Sequence, residues 1–167
     1  MREKRALSDL AQALPGSDLL RAAYERRARQ LWSFGRRLGL DIDTAEDCMQ
    51  EAFSRVMNQP ADSVANIDAW LFRVVHNLAV DHLRRAAGTR EVVARAFPEM
   101  GLPNEDQVAL WALVDGLPDR QRAVVYLRYR ADLDFATIAG ILGITEGGAR
   151  SNCARALDSL RDAMGTR

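Results

Sequence analysis

The stretch from Asp134 to about Met164 constrains the fold more than any other part of the chain. Asp134 stands ahead of the helical run Phe135-Ala136-Thr137-Ile138-Ala139-Gly140-Ile141-Leu142. Gly143 follows it, and Thr145 opens a second helical run that reaches about Met164. Ile138, Ala139, Leu142, Gly143 and Ile144 meet the needs of two helices that cross tightly. They supply a small residue at the crossing, a glycine where a positive φ is required, and aliphatics on either side. Asp134 and Thr145 are N-cap residue types. The spacing therefore predicts a helix-turn-helix. Its second helix carries Arg150, Ser151, Asn152 and Arg155. A recognition helix needs long donors toward its N-terminal half. The fork of Arg150 suits guanine O6 and N7, and the amide of Asn152 suits adenine N6 and N7. A solvated arginine face is the competing reading of the same residues. Gly147 and Gly148 each weaken a helix start. Close approach of helix amides to a phosphate and simple fraying explain them equally well.

Upstream, helical patterning continues. Asp18 to about Leu38 reads as one helix, with Leu19, Leu20, Ala23, Leu31, Phe34 and Leu38 as apolar positions and Gly39 as terminator. Asp43-Thr44-Ala45-Glu46 has the form of a capping box. Ala45, Cys48, Met49, Ala52, Phe53 and Val56 then recur at helical spacing, with Asp47, Gln50, Glu51 and Ser54 opposite them. After a turn-rich loop, a third helix is expected from about Asp68 to Ala86. Arg73, Asn77 and Asp81 fall on one polar stripe four residues apart, with Arg84 and Arg85 beyond. These cations suit a phosphate backbone or unstacked bases. They equally suit ion pairs with Asp81.

Residues 88–103 contain Gly88, Pro98, Gly101 and Pro103 without sustained periodicity, the composition of a flexible linker. Beyond it, Val108 to Val114 reads as a short helix, and Pro118 opens another that continues to about Arg130. The expected fold is all-α. Two small helical domains, residues 1–87 and 104–167, are joined by the linker at 88–103, and the second contains the helix-turn-helix.

The 167 residues include 23 Lys plus Arg and 23 Asp plus Glu, so the formal charge is zero. That argues against a simple non-specific nucleic-acid binder, which carries a basic excess, and leaves room for a local basic patch. Every cation except Lys4 is arginine; genomic base composition is the first explanation, and the planar fork of arginine also suits phosphate and guanine recognition. Cys48 and Cys153 lie far apart on predicted helices and read as buried thiols of a reducing compartment. His76 and His82 lack partners at metal-ligand spacing. No nucleophile arrangement, phosphate loop or nucleotide-binding glycine motif is present. The expectation is a protein without catalytic residues, metal or cofactor. No apolar run approaches the roughly 18 residues of a membrane span, and no signal core follows the N-terminus, so a cytoplasmic protein is expected.

Three segments in order resemble the extracytoplasmic-function (ECF) group of bacterial sigma factors. Ala45-Glu46-Asp47-Cys48-Met49-Gln50-Glu51-Ala52-Phe53 is similar to the core-binding helix of that family. Ala69 through Arg85 resembles its promoter-melting helix, and Leu117 through Arg155 its promoter-reading domain. The resemblance spans nearly the whole chain from Asp18. It implies a transcription initiation factor whose partners are core RNA polymerase, promoter DNA and an anti-sigma factor. By the same resemblance, Asp47, Gln50 and Glu51 dock on polymerase. The loop from Met57 to Asp68 captures a flipped base of the minus-ten element. Arg73, Asn77, Arg84 and Arg85 face DNA near the unwound strand. Arg150, Ser151, Asn152 and Arg155 read the minus-thirty-five element. Docking and DNA faces of opposite character also account for the neutral charge. The chain departs from the family pattern at Gly148-Ala149, where Thr-Val is frequent, at Asn152, where a basic residue is frequent, and at Pro60-Ala61, where many members carry an aromatic. A more loosely packed recognition helix with a different target sequence is the expected consequence. Two other classes share some of these features: a sigma mimic that sequesters an anti-sigma factor, and a stand-alone helix-turn-helix regulator, which would dimerise on a palindromic site.

Overall fold

The computed structural model describes residues 18–60, 63–87 and 105–165. Among these residues the regular structure is helical throughout. The linker expected at 88–103 lies outside the described residues.

Three helices build the first unit: α1 (Asp18–Leu38), α2 (Ile42–Met57) and α3 (Ile67–Ala86). Gly39 ends α1 at φ 115°, with its N–H on the Arg36 carbonyl and the Leu40 N–H on the Gly35 carbonyl. This doubly bonded C-terminus needs a left-handed residue, and glycine takes that conformation without strain. Helix α2 starts two residues earlier than the expected capping box. Asp41 is its N-cap, and its carboxylate accepts from both the N–H and the hydroxyl of Thr44 at 2.8 Å. Asp41 wins over Asp43 because its third neighbour offers two donors at once. Helix α3 is capped by Asn66, which accepts from the Ala69 N–H at 3.0 Å. Asp68 pairs with Arg26 and Arg27 of α1, at 2.8 and 2.9 Å.

The apolar faces meet as the periodicity requires. Leu31, Phe34, Ala52, Phe53, Leu71, Phe72 and Val75 are essentially inaccessible. Tyr24 tilts onto Phe53 with ring centres 4.8 Å apart, and Phe34 meets Phe72 edge-on at 5.5 Å. Aromatic pairs in such geometries add to plain burial. Leu19 departs from the expected apolar face and is 71% exposed.

The second unit contains α4 (Glu105–Asp115), α5 (Asp119–Val125), a π-helical turn (Tyr126–Arg130), α6 (Phe135–Leu142) and α7 (Glu146–Gly165). The sequence pattern predicts one helix from Pro118 to Arg130, whereas its last turn is widened. Both units contribute to one apolar core. Phe34 stacks on Tyr126 at 5.6 Å, and Val124, Leu127 and Ile138 join Phe72 and Val75 in the same cluster. Arg37 of α1 is buried between Asp115, Trp111 and Tyr126. It pairs with the Asp115 carboxylate and lies 4.7 Å from the Trp111 ring centre. At the widened turn, Arg27 and Gln30 donate to the carbonyls of Ala131 and Arg130, both at 3.1 Å. Helix C-termini leave such carbonyls unpaired. Here the first unit satisfies those of the second.

Candidate nucleic-acid and polymerase interfaces

Helix α2 presents the residues expected to dock on polymerase. Asp47 and Glu51 are exposed and Gln50 is half-buried. Gln50 donates to Glu46 at 3.1 Å, and Glu51 accepts from Arg55 at 2.8 Å. Cys48 points inward from the same helix. Burial pushes its thiol up, and the neighbouring carboxylates of Asp47, Asp41 and Glu51 push the same way. Both cysteines are free and buried, as their helical positions predict.

The polar stripe of α3 is also exposed at Arg73, Asn77 and Asp81, and so are Arg84 and Arg85. Among the described residues, neither Arg84 nor Arg85 pairs with Asp81. Their cations are therefore not neutralised within the helix. Arg73 lines a cleft of about 330 Å³ with the loop residues Ser63, Val64, Ala65 and Asn66. The far wall is Thr137, Gly140 and Ile141 of α6. The second unit thus stands directly against the loop expected to capture a base, of which Ala61 and Asp62 lie outside the described residues.

The helix-turn-helix forms as its punctuation dictates. Asp134 caps α6 by accepting from the Thr137 N–H at 2.7 Å. That hydrogen bond, with the Thr137 hydroxyl, holds its carboxyl below the usual range. Gly143 adopts φ 65°, and the Ile144 N–H returns to the Ala139 carbonyl at 3.1 Å. Thr145 caps α7 through the Gly148 N–H at 3.0 Å. A Cβ on Gly148 would stand 3.1 Å from the capping hydroxyl, so the cap itself favours glycine there. A Cβ on Gly147 would meet nothing within 4 Å. Ala149, Cys153, Ala156 and Leu160 are buried along the length of α7.

Arg150, Ser151 and Arg155 face solvent on α7, and Asn152 is half-buried. Asn152 donates to the Gly148 carbonyl at 2.8 Å and Arg155 to the Ser151 carbonyl at 3.3 Å, so both lie back on their own helix. Arg150 is held differently. It pairs with Glu146, and its guanidinium carbon sits 4.9 Å from the centre of the Phe135 ring. Neither Phe135 nor Glu146 is among the site residues expected from the sequence. The Glu146 spacing of four residues is a visible signal, whereas the Phe135 contact crosses between helices.

Among the described residues no group of three or more His, Cys, Asp or Glu stands close enough to hold a metal, and no helix is long and apolar enough to cross a membrane.

Residues 23–89 match the family described as sigma-70 region 2, and residues 107–160 match that described as sigma-70, region 4. Two helical modules of these kinds in this order define a protein of sigma-70 type. The ECF RNA polymerase sigma factor SigL of Mycobacterium tuberculosis is 36% identical over 155 residues, covering 86% of this chain and 87% of the relative. SigM of the same organism is 30% identical over 148 residues, covering 85% and 75%. The chain belongs to the ECF RNA polymerase sigma factors. Two solved structures share the fold. CnrH in complex with the cytosolic domain of CnrY superposes with a TM-score of 0.64 at 19% identity, over 97% of each chain. The sigma factor RpoE of Bartonella quintana, in complex with the anti-sigma factor NepR, gives 0.63 at 23% identity, over 83% of this chain and 91% of that one.

Proposed function

We propose that this sigma factor directs core RNA polymerase in the cytoplasm to promoters through three surfaces. The α2 face with Asp47, Gln50 and Glu51 docks on polymerase. The α3 stripe of Arg73, Asn77, Arg84 and Arg85, with the loop before it, opens the minus-ten element. Helix α7 reads the minus-thirty-five element from the major groove with Arg150, Ser151, Asn152 and Arg155. The observation that carries this reading is the separation of surfaces. A mixed acidic and polar helix face and two arginine-bearing faces are exposed on different helices, within two modules that match sigma-70 regions 2 and 4. Opening requires unstacking one or two bases at a few kcal/mol each, offset by pocket contacts. An anti-sigma protein is proposed as a further partner, because both structural neighbours are described in complexes with proteins of other names, one of them called an anti-sigma factor.

Adding the purified chain to sigma-free core polymerase tests the reading. Co-elution on gel filtration at near-equimolar ratio is expected. A folded chain that stays separate at micromolar concentration would reject it in favour of the stand-alone regulator or the mimic.

A further inference from the structure

We propose that Phe135 is a positioning residue for base reading: its ring holds Arg150 in the orientation from which the guanidinium meets a guanine. The inference rests on the proposed role of α7 and extends it to a residue outside that helix.

Phe135 is the first residue of α6, directly after the Asp134 cap, so its backbone is fixed by the cap geometry. Its ring is half-buried and packs against the apolar core. Two guanidinium groups approach it, Arg128 at 5.4 Å and Arg150 at 4.9 Å from the ring centre. They differ in freedom. Arg128 donates to the Leu133 carbonyl at 3.1 Å, which ties it to the protein. Arg150 is exposed, with 61% of its side chain accessible, and its ion pair engages Nη2 with Glu146. The ring therefore joins an anchored cation on one element to an exposed one on the recognition helix.

Any apolar side chain at position 135 would fill the core. An aromatic ring adds attraction for a cation over its face. Arginine has many rotamers, and ordering them at the moment of binding is unfavourable. Holding Arg150 beforehand between Glu146 of its own helix and the Phe135 ring of α6 removes part of that cost and orients the fork, on which bidentate guanine recognition depends. Asn152 and Arg155, which bond to their own helix, receive no such support from α6.

The test uses the full chain on core polymerase with a DNA library randomised across both promoter elements. Base preference is read position by position from the selected DNA for the wild type, Arg150→Ala, Phe135→Met and Phe135→Tyr. Arg150→Ala is expected to flatten one guanine position. Phe135→Met, which keeps volume and loses the ring face, should lower the guanine preference at that same position by about two- to fivefold, the ratio expected from one exposed cation–π contact. Phe135→Tyr should retain the preference. An unchanged preference in Phe135→Met, or an equal loss at every position, would overturn the proposal and leave the role of Arg150 standing. If Arg150→Ala flattens no position, the reading of α7 fails and the proposal with it. A measurement on the unaltered chain guards against misfolded variants: the Arg150 side-chain NMR resonances should show an upfield ring-current shift, and its absence would equally overturn the proposal.

Discussion

At the scale of single residues, three glycines of the helix-turn-helix have three different reasons. Gly143 sits at φ 65°, where a Cβ is strained by about 1–2 kcal/mol. Gly148 gives room to the Thr145 cap, and Gly147 borders open space. Gly143→Ala should therefore lower stability by about 1 kcal/mol. Gly147→Ala should raise it by roughly 0.5 kcal/mol, since alanine is the better helix former and the site is near a helix end. Gly148→Ala should fall between, because gained propensity opposes a crowded cap. Thermal unfolding of the three variants checks the order, and a stabilised Gly143→Ala would refute the account. The caps at Asp134 and Thr145 and the turn at Gly143 were legible in the sequence because their partners lie within five residues. The capping box at Asp43 misled by two positions because two acids compete, and the choice turns on the second donor of Thr44.

Elements obey the same division between local and distant causes. Helix α2 is amphipathic by sequence, and the exposed polar face proposed for docking follows from that pattern. Asp47→Ala combined with Gln50→Ala removes side chains from the outer face and leaves Phe53 and Met49 in the core. Binding to core polymerase should weaken by roughly tenfold, or about 1.4 kcal/mol, with an unchanged melting temperature. Full retention of binding would reject that face. The link between α1 and α3 is less legible, since Asp68 meets Arg26 and Arg27 across more than forty residues. Burial pushes the Asp68 carboxyl up, but the hydrogen bonds and charges of the two arginines outweigh it and hold the group below its ordinary range. A depressed carboxyl contributes stability above its unfolded value and loses it as the pH falls through its folded value. Acid unfolding should therefore become less steep below pH about 4 in Asp68→Asn, which is also less stable at neutral pH. Equal slopes for the two proteins would contradict this. The widened turn at Tyr126–Arg130 was not legible at all. Its apolar spacing continues a helix; Tyr126 and Leu127 accept from the nearby Ala131 and Leu133 N–H groups, while the carbonyls at its end, Arg130 and Ala131, find donors on α1.

The whole molecule adds a requirement that neither unit carries alone. Two helical modules and their order could be read from periodicity and resemblance. Their shared core could not, because Phe34 and Tyr126 or Arg37 and Asp115 carry no mark of each other in sequence. A compact chain of this length has a radius of gyration of about 15 Å and is roughly 40 Å across. The two proposed elements, at minus ten and minus thirty-five by their names, lie about 25 base pairs apart, or roughly 85 Å at 3.4 Å per pair. The packed arrangement therefore cannot serve both elements, and the proposed function requires the units to part. Parting exposes Phe34, Phe72 and Tyr126 and draws Arg37 away from Asp115, Trp111 and Tyr126. Polymerase and DNA contacts must supply the free energy, since a partner shifts such an equilibrium only by its preference for the open state. Removing the buried arginine should shift it in advance. Arg37→Ala leaves the Asp115 carboxylate without that partner, a loss of about 3 kcal/mol for a buried pair. Small-angle scattering of the free variant should show a larger radius of gyration than the wild type, with the helical content kept. A variant as compact and as stable as the wild type would mean that Arg37 does not hold the two units together.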